Sequence, residues 1–107
     1  MSAKTRVTPE LFAALADATR LHIVSRLCEE GPLSISRLSE GSHVTRQAVT
    51  KHLRVMEEAR LLHCRRRGRE TLWSLDERRL KEARQYLAQI SSQWDNALNR
   101  LKNFVEE

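Results

Sequence analysis

Hydrophobic residues recur along most of this 107-residue chain at steps of three and four, a spacing that predicts helices. The prolines and glycines lie at the borders of these periodic segments: Pro9, Gly31, Pro32, Gly41 and Gly68. The pattern predicts a first helix that opens at Thr8, an N-cap, and carries Leu11, Phe12 and Leu15.

A second helix is predicted from its N-cap Asp17 to Gly31. Its buried face should contain Leu21, Val24, Leu27 and Cys28. Ser34 then caps a short helix ending at Gly41, and Thr45 caps a longer one after a turn. The buried stripe of this longer helix should be Ala48, Val49, Leu53 and Met56.

The other side of the longer helix should be rich in hydrogen-bond donors: Arg46, Gln47, Thr50, Lys51 and Arg54. Such side chains can donate to phosphates or to the edges of guanine and adenine, as major-groove recognition requires. A merely solvated surface helix would usually mix Glu with Lys. Here the acids are confined to Glu57 and Glu58, toward the far end.

Two runs with strand character, Leu62 to Arg66 and Glu70 to Leu75, flank a turn at Arg67-Gly68 and predict a β-hairpin. Four arginines lie at or beside its tip: Arg65, Arg66, Arg67 and Arg69. A hairpin of this kind suits contact with a nucleic-acid backbone or minor groove, although a charged tip can also be simply solvated.

The net charge of +5 is concentrated in residues 46–69, which hold eight basic and two acidic side chains, a net +6. The remaining eleven basic and twelve acidic residues leave −1 elsewhere. A polyanion is the natural partner of such a segment, with a solvated charged face as the alternative.

From Asp76, an N-cap, no glycine or proline interrupts the chain, and apolar residues form a heptad seam: Leu80, Ala83, Leu87, Ile90, Trp94, Ala97, Leu101 and Phe104. A helix of about 30 residues spans roughly 45 Å, longer than one small core can cover. The seam therefore predicts a partner helix, unless it folds back on the first helix of its own chain.

Length and composition narrow the class of protein. One domain is expected from 107 residues, and no apolar run is long enough for a membrane span or signal peptide. Two cysteines, Cys28 and Cys64, suit thiols in a reducing compartment, so a cytoplasmic location is expected. Both fit apolar stripes, which favours buried, inert thiols.

Several segments together resemble the ArsR family of winged-helix repressors: LADATRLHIVSRL, LSISRLSEGS, TRQAVTKHLRVMEEARLL, RRRGRETLWSL and the long last helix. The resemblance implies a mainly α fold with a small β-hairpin, in which residues 1–75 form the winged helix-turn-helix core and 76–107 the dimerisation helix of one structural domain. It also implies a homodimer paired through its first and last helices that represses transcription at a double-stranded DNA operator.

Carried over by position, the resemblance assigns Thr45, Arg46, Gln47, Thr50, Lys51 and His52 to the recognition helix, beside Arg54, and Arg65, Arg66, Arg67 and Arg69 to the wing. The implied dimer interface consists of Leu11, Phe12, Leu87, Ile90, Trp94, Leu101 and Phe104.

The chain lacks the metal ligands that are found in the family's metal sensors. The positions of their Cys-x-Cys motif match Ser34 and Ser36, and residues 76–107 hold no histidine or cysteine. The four histidines, His22, His43, His52 and His63, lack metal-ligand spacing. We therefore expect no metal, and no residue pattern predicts a cofactor or an inducing ligand.

Three other functions compete with that of a DNA-binding repressor. An enzyme is not expected, since His63 and Cys64 are strand neighbours that point to opposite faces. A thiol-based redox sensor would use Cys28 or Cys64, but the last helix lacks the partner cysteine of the family's redox sensors. A winged-helix module that binds protein should expose apolar residues at 46, 47, 50 and 51, which are polar here.

Overall fold

The computed structural model describes residues 9–106, and the predicted cap Thr8 lies outside them. In chain order the elements are α1 (Pro9–Leu15), α2 (Ala18–Glu30), β1 (Leu33–Ser34), α3 (Ile35–Ser39), α4 (Arg46–Glu58), β2 (Leu62–Arg67), β3 (Glu70–Leu75) and α5 (Glu77–Glu106). The prediction of a mainly helical chain with a small β-hairpin is confirmed.

Three predicted N-caps accept the backbone hydrogen bonds that start their helices. A side-chain oxygen of Asp17 accepts from the backbone N–H of Arg20 at 3.0 Å. Ser34 accepts in the same way from Arg37 at 3.2 Å, and Thr45 accepts from Ala48 at 3.0 Å. Each cap satisfies one of the N–H groups that the first turn leaves without an intrahelical partner. These helix starts are therefore set by local side-chain chemistry.

The sheet has one strand more than the predicted hairpin. β1 pairs antiparallel with β3, with Leu33 opposite Trp73, and gives the strand order β1-β3-β2. The hairpin itself is confirmed, although β2 runs through Arg67 and the turn falls on Gly68 and Arg69. Gly68 takes a φ of 63°, a left-handed conformation that glycine adopts without strain.

The centre of the apolar core lies where α1 and α4 meet the start of the hairpin. Its largest fully buried side chains are Leu11, Val49, Leu53, Met56 and Leu61. The predicted stripe of α4 is confirmed, with Ala48 half-buried at its edge. Because one face of α4 is anchored in this way, its opposite face is held in a fixed direction.

The predicted buried face of α2 is partly wrong. Ile23 and Leu27, one turn apart, point into the core, while Leu21 is 51% exposed and Cys28 is exposed as well. Helical spacing leaves two overlapping apolar arcs on this helix, and the core contacts the one centred on Ile23.

Two arginines hold the ends of other helices. Arg26 donates from Nη1 to the carbonyl of Arg37 at 2.9 Å, in α3, and Arg79 donates from Nη2 to the carbonyl of Ala59 at 3.3 Å, after α4. Arg79 satisfies a carbonyl at the end of α4 that lacks an intrahelical partner, whereas the carbonyl of Arg37 also accepts from the backbone N–H of Glu40. These positive charges therefore have a structural role.

Helix α5 begins within the domain and continues beyond it. Asp76 Oδ1 accepts from the backbone N–H of Arg79 at 3.2 Å, as a predicted N-cap should. Ala83 is buried and Leu80 is half-buried against the core, but the later seam residues contribute little to it. Trp94 is 64% exposed and Phe104 is 76% exposed. The projecting helix accounts for a molecule 66 Å long and 21 Å thin.

Candidate nucleic-acid interface

The first turns of α4 expose a face rich in donors. Arg46, Gln47, Lys51 and Arg54 are all exposed, and the first turn of the helix contains no acidic residue. Among residues 9–106, none of the three basic side chains on this face lies within 4 Å of a carboxylate. The positive end of the helix dipole points the same way, so this face attracts anions.

Two threonines of the predicted set have local partners. Thr45 is exposed, but its hydroxyl oxygen accepts the capping hydrogen bond from Ala48. Thr50 is half-buried and donates from its hydroxyl to the carbonyl of Arg46 at 3.0 Å. Thr45 therefore keeps its O–H proton for a ligand, whereas Thr50 presents mainly its methyl group and remaining lone pairs.

His52 lies on the recognition helix, as assigned by position, but its side chain does not belong to the donor face. Its side chain is 21% exposed and turns toward the start of α2. There Nδ1 lies 3.2 Å from Nη1 of Arg20 and 3.9 Å from Oδ2 of Asp17. Since residues 51 and 52 are about 100° apart around a helix, Lys51 can be exposed while its neighbour faces inward.

The hairpin carries its arginines on both faces. In the register of β2 and β3, Arg65 lies opposite Leu72 and Arg67 opposite Glu70, whereas Arg66 lies opposite Thr71 on the other face. Nε of Arg66 donates to the carbonyl of Gly68 at 3.3 Å. All the tip arginines, Arg69 included, are exposed. The tip can therefore meet an anion from either side.

The donor face and the hairpin border one open groove. The groove has a volume of about 610 Å³, and its walls include Arg46 and Arg54 from α4, Arg69 and Thr71 from the hairpin, and Ser36 from α3. Glu57 and Glu70 also line it, so the positive charge is partly balanced within the groove. The fold thus brings basic residues of two different elements, α4 and the hairpin, onto one surface.

Both cysteines are exposed, so the prediction of buried thiols is wrong. Cys64 lies in the groove, and its Sγ is 3.7 Å from Oε2 of Glu57. Partial desolvation, together with the negative charge of Glu57, raises the pKa of this thiol above its usual value. A raised pKa lowers the thiolate fraction at neutral pH, which disfavours a reactive redox cysteine.

The residues that match the family's Cys-x-Cys ligands have other roles. Ser34 is buried and accepts the capping hydrogen bond of α3, and Ser36 is exposed in the groove. Within residues 9–106 there is no group of three or more His, Cys, Asp or Glu side chains placed to hold a metal ion.

Comparison with known proteins agrees with this geometry. A family model described as a helix-turn-helix domain matches residues 15–65. The HTH-type transcriptional regulator Rv2034 of Mycobacterium tuberculosis is 37% identical over 95 residues, covering 89% of this chain and 85% of that protein. The solved structure of an ArsR-like transcriptional regulator from Rhodococcus sp. RHA1 superposes with a TM-score of 0.75 and 32% identity, covering 89% of each chain. The chain belongs to the ArsR family of winged helix-turn-helix regulators.

A further relative is the arsenical resistance operon repressor of Bacillus subtilis, which is 32% identical over 66 residues, or 62% of this chain and 63% of that protein. Like these relatives, the present chain is a DNA-binding transcriptional regulator and not an enzyme. The adjacent His63 and Cys64 contact different residues and do not form a nucleophile and base pair. His63 Nδ1 lies 3.3 Å from Ser74 Oγ, whereas Cys64 contacts Glu57.

This ArsR-family chain has a second exposed surface, which is apolar. Along α5 it consists of Leu87, Trp94, Leu98, Leu101, Phe104 and Val105, of which Leu98 and Val105 lie beside the predicted seam. Phe12 of α1 packs on Tyr86 of α5 at its near end. Leu11, by contrast, is wholly buried in the core of its own chain and has no surface left for a partner, so its assignment to a dimer interface is wrong. None of the helices in residues 9–106 is both long and apolar enough to cross a membrane.

Proposed function

We propose that this ArsR-family regulator is a repressor that binds an inverted-repeat operator as a homodimer. One observation carries the proposal: the exposed donor face of α4 and the arginine-bearing hairpin border a single groove. A protein-binding surface would be expected to expose apolar side chains at these positions. A DNA duplex offers what this surface lacks, namely a regular array of negative charge beside hydrogen-bond acceptors.

The two parts of the surface have different roles in this proposal. Arg46 and Gln47, in the first turn of α4, are long enough to reach the edges of guanine and adenine in the major groove. Lys51 and Arg54, further along the helix, contact phosphates. The wing arginines contact the backbone or enter a minor groove, where the negative potential is strongest. Base preference then comes from α4, and most of the affinity from phosphate contacts.

The apolar surface of α5 supports the homodimer. Large side chains such as Trp94 and Phe104 would remain in water in a single chain. Burying each one stabilises the complex by about 1.5–3 kcal/mol, so several on each chain offset the cost of association. A twofold dimer presents its recognition helices about one DNA turn apart, roughly 34 Å, which selects an inverted repeat.

Repression without a metal signal is the remaining part of the proposal. The Bacillus subtilis relative is an operon repressor, which supports the same direction of control here. Thiolates are the usual ligands for soft metals, whereas the matching positions here are the capping serine Ser34 and the exposed Ser36. We therefore propose that DNA binding does not depend on a metal ion.

Selection from a random pool of duplex DNA tests the proposed function directly. Purified protein is incubated with the pool at moderate salt, and retained duplexes are sequenced after several rounds. We expect an inverted repeat with half-site centres about 10 base pairs apart, or a little more. Enrichment of single half-sites would contradict the dimer, and retention without any sequence preference would contradict the operator.

A further inference from the structure

Arg20, in the first turn of α2, links three helices through one side chain. Its Nε donates to the carbonyl of Ala14 at 2.6 Å and its Nη2 to that of Ala13 at 3.4 Å, both in the last turns of α1. Its Nη1 lies 3.2 Å from Nδ1 of His52, in the middle of α4. The guanidinium therefore joins the end of α1 to the recognition helix.

Asp17 fixes the backbone at Arg20 and places a negative charge near its side chain. Its Oδ2 accepts the backbone N–H of Arg20 at 3.0 Å and lies 3.9 Å from Nδ1 of His52. That backbone hydrogen bond is the main reason why the pKa of Asp17 is below its usual value. The carboxylate is therefore ionised at neutral pH and provides a negative charge beside the guanidinium.

Arg20 fixes the hydrogen-bonding role of His52 in this contact. A guanidinium can only donate, so Nδ1 of His52 accepts from Nη1 of Arg20. His52 faces inward and holds the back of the helical turn whose front exposes Lys51.

These contacts are directional, which distinguishes them from the remaining contact between α1 and α4. Leu11 of α1 and Leu53 of α4 belong to the same apolar core, and apolar packing alone tolerates small rotations. The forked hydrogen bonds of a guanidinium have a fixed geometry. On its other side α1 contacts α5 through Phe12 and Tyr86, next to the apolar surface.

We propose that Arg20 is a positioning residue for operator recognition: by tying His52 to the end of α1, it sets the angle of the recognition helix relative to the dimer surface. The inference rests on the proposed function, because this angle matters when two recognition helices must reach two half-sites together. Base preference within a half-site comes from Arg46 and Gln47, which Arg20 does not contact. The preference for one spacing between half-sites comes from the angle of α4 relative to α1, which the contacts of Arg20 fix.

The test compares operators that differ only in half-site spacing. One base pair is added to or removed from the centre of the inverted repeat selected by the wild-type protein, and the affinity for each duplex is measured. We expect the wild-type protein to prefer the selected spacing. Arg20→Met should reduce that preference by roughly two- to ten-fold, as expected for one hydrogen bond, and leave the base preference within each half-site unchanged.

Substitutions of His52 separate positioning from folding. His52→Asn keeps an acceptor oxygen near the place of Nδ1 and should retain the spacing preference, whereas His52→Leu should behave like Arg20→Met. The double variant should be no worse than either single variant, because both remove the same contact. Thermal unfolding is recorded for every variant, since a merely structural role would lower Tm without changing the spacing preference.

The outcomes distinguish this inference from the proposed function. If the wild-type protein prefers one spacing and Arg20→Met and His52→Leu both keep that preference, the positioning role is overturned while the proposed function stands. Equal loss in His52→Asn and His52→Leu also overturns it. If the wild-type protein selects no inverted repeat, the proposed function fails and the positioning role fails with it.

Discussion

The rings of Phe12 in α1 and Tyr86 in α5 lie 5.8 Å apart between centroids, with their planes tilted by 40°. This contact joins the first helix to the last at the place where α5 leaves the domain. Beyond it most large apolar residues of α5 are exposed, although Ile90 is half-buried, so one chain covers mainly the beginning of its own seam. The contact therefore marks the boundary between the core of the domain and the proposed dimer surface.

Trp94→Asp should abolish dimerisation and specific DNA binding together, because it places a charge in the middle of the apolar surface. Ser92→Asp adds the same charge on the opposite side of α5 and should leave both properties intact. Sedimentation gives the oligomeric state, and titration of the selected operator gives the affinity. A folded Trp94→Asp monomer with wild-type operator affinity would contradict the proposed dimer.

Gln47→Ala should relax the preference for particular bases, since a good bidentate contact to a base discriminates by about 1–3 kcal/mol. Arg46→Ala should do the same at a different base. The measurement is repeated selection from random DNA, with Glu58→Ala at the far end of α4 as the control. Unchanged base preference in both variants would show that the exposed face of α4 does not determine sequence specificity.

Arg65→Ala combined with Arg67→Ala should weaken binding to all DNA sequences alike. Each lost phosphate contact should reduce the slope of log K against log salt by about 0.9, because fewer counterions are released. Arg78→Ala with Lys81→Ala removes the same charge from α5 and is the control. Equal salt slopes in the wing variant and the wild-type protein would exclude the wing from phosphate contact.

Operator binding should be unchanged by a chelator, and by Zn²⁺, Cd²⁺ or arsenite at micromolar concentration, since serines occupy the positions of the family's thiolate ligands. Gel-shift titration of the selected operator measures this. Release of DNA by any of these ions would contradict the prediction. Cys28→Ser and Cys64→Ser would then identify the thiol involved.

Asp17→Asn should make the stability of the protein less sensitive to acid. The folded protein lowers the pKa of Asp17, so this group stabilises the fold above its unfolded pKa of about 3.9, and the contribution is lost as pH falls through the lower folded value. The variant should be less stable than wild type at neutral pH and approach it in acid. Urea unfolding at several pH values measures this, with Asp95→Asn on exposed α5 as the control; a constant difference at every pH would contradict the assignment.

The helix starts and the hairpin were predictable because their signals are local. Asp17, Ser34 and Thr45 each cap a helix with a hydrogen bond to a residue three positions later. The two-residue strand β1 is not predictable from the sequence because its pairing partner, β3, lies about 40 residues away and no pattern within β1 specifies it. Hydrophobic periodicity shows that a helix such as α2 has an apolar side. It does not show which of two overlapping sets of apolar residues faces the core. Leu21 and Cys28 were therefore placed wrongly.

The same division holds for the candidate site. Residue types and short-range spacing were enough to predict the donor face of α4, the basic wing and the seam of α5, because each depends on the order of side chains along one element. The shared groove of α4 and the wing, the inward turn of His52 toward Arg20, and the burial of Leu11 depend on how separate elements pack. Hydrogen bonds and apolar contacts act over a few ångströms in space, irrespective of distance along the chain, so these relationships appear only once the chain is folded.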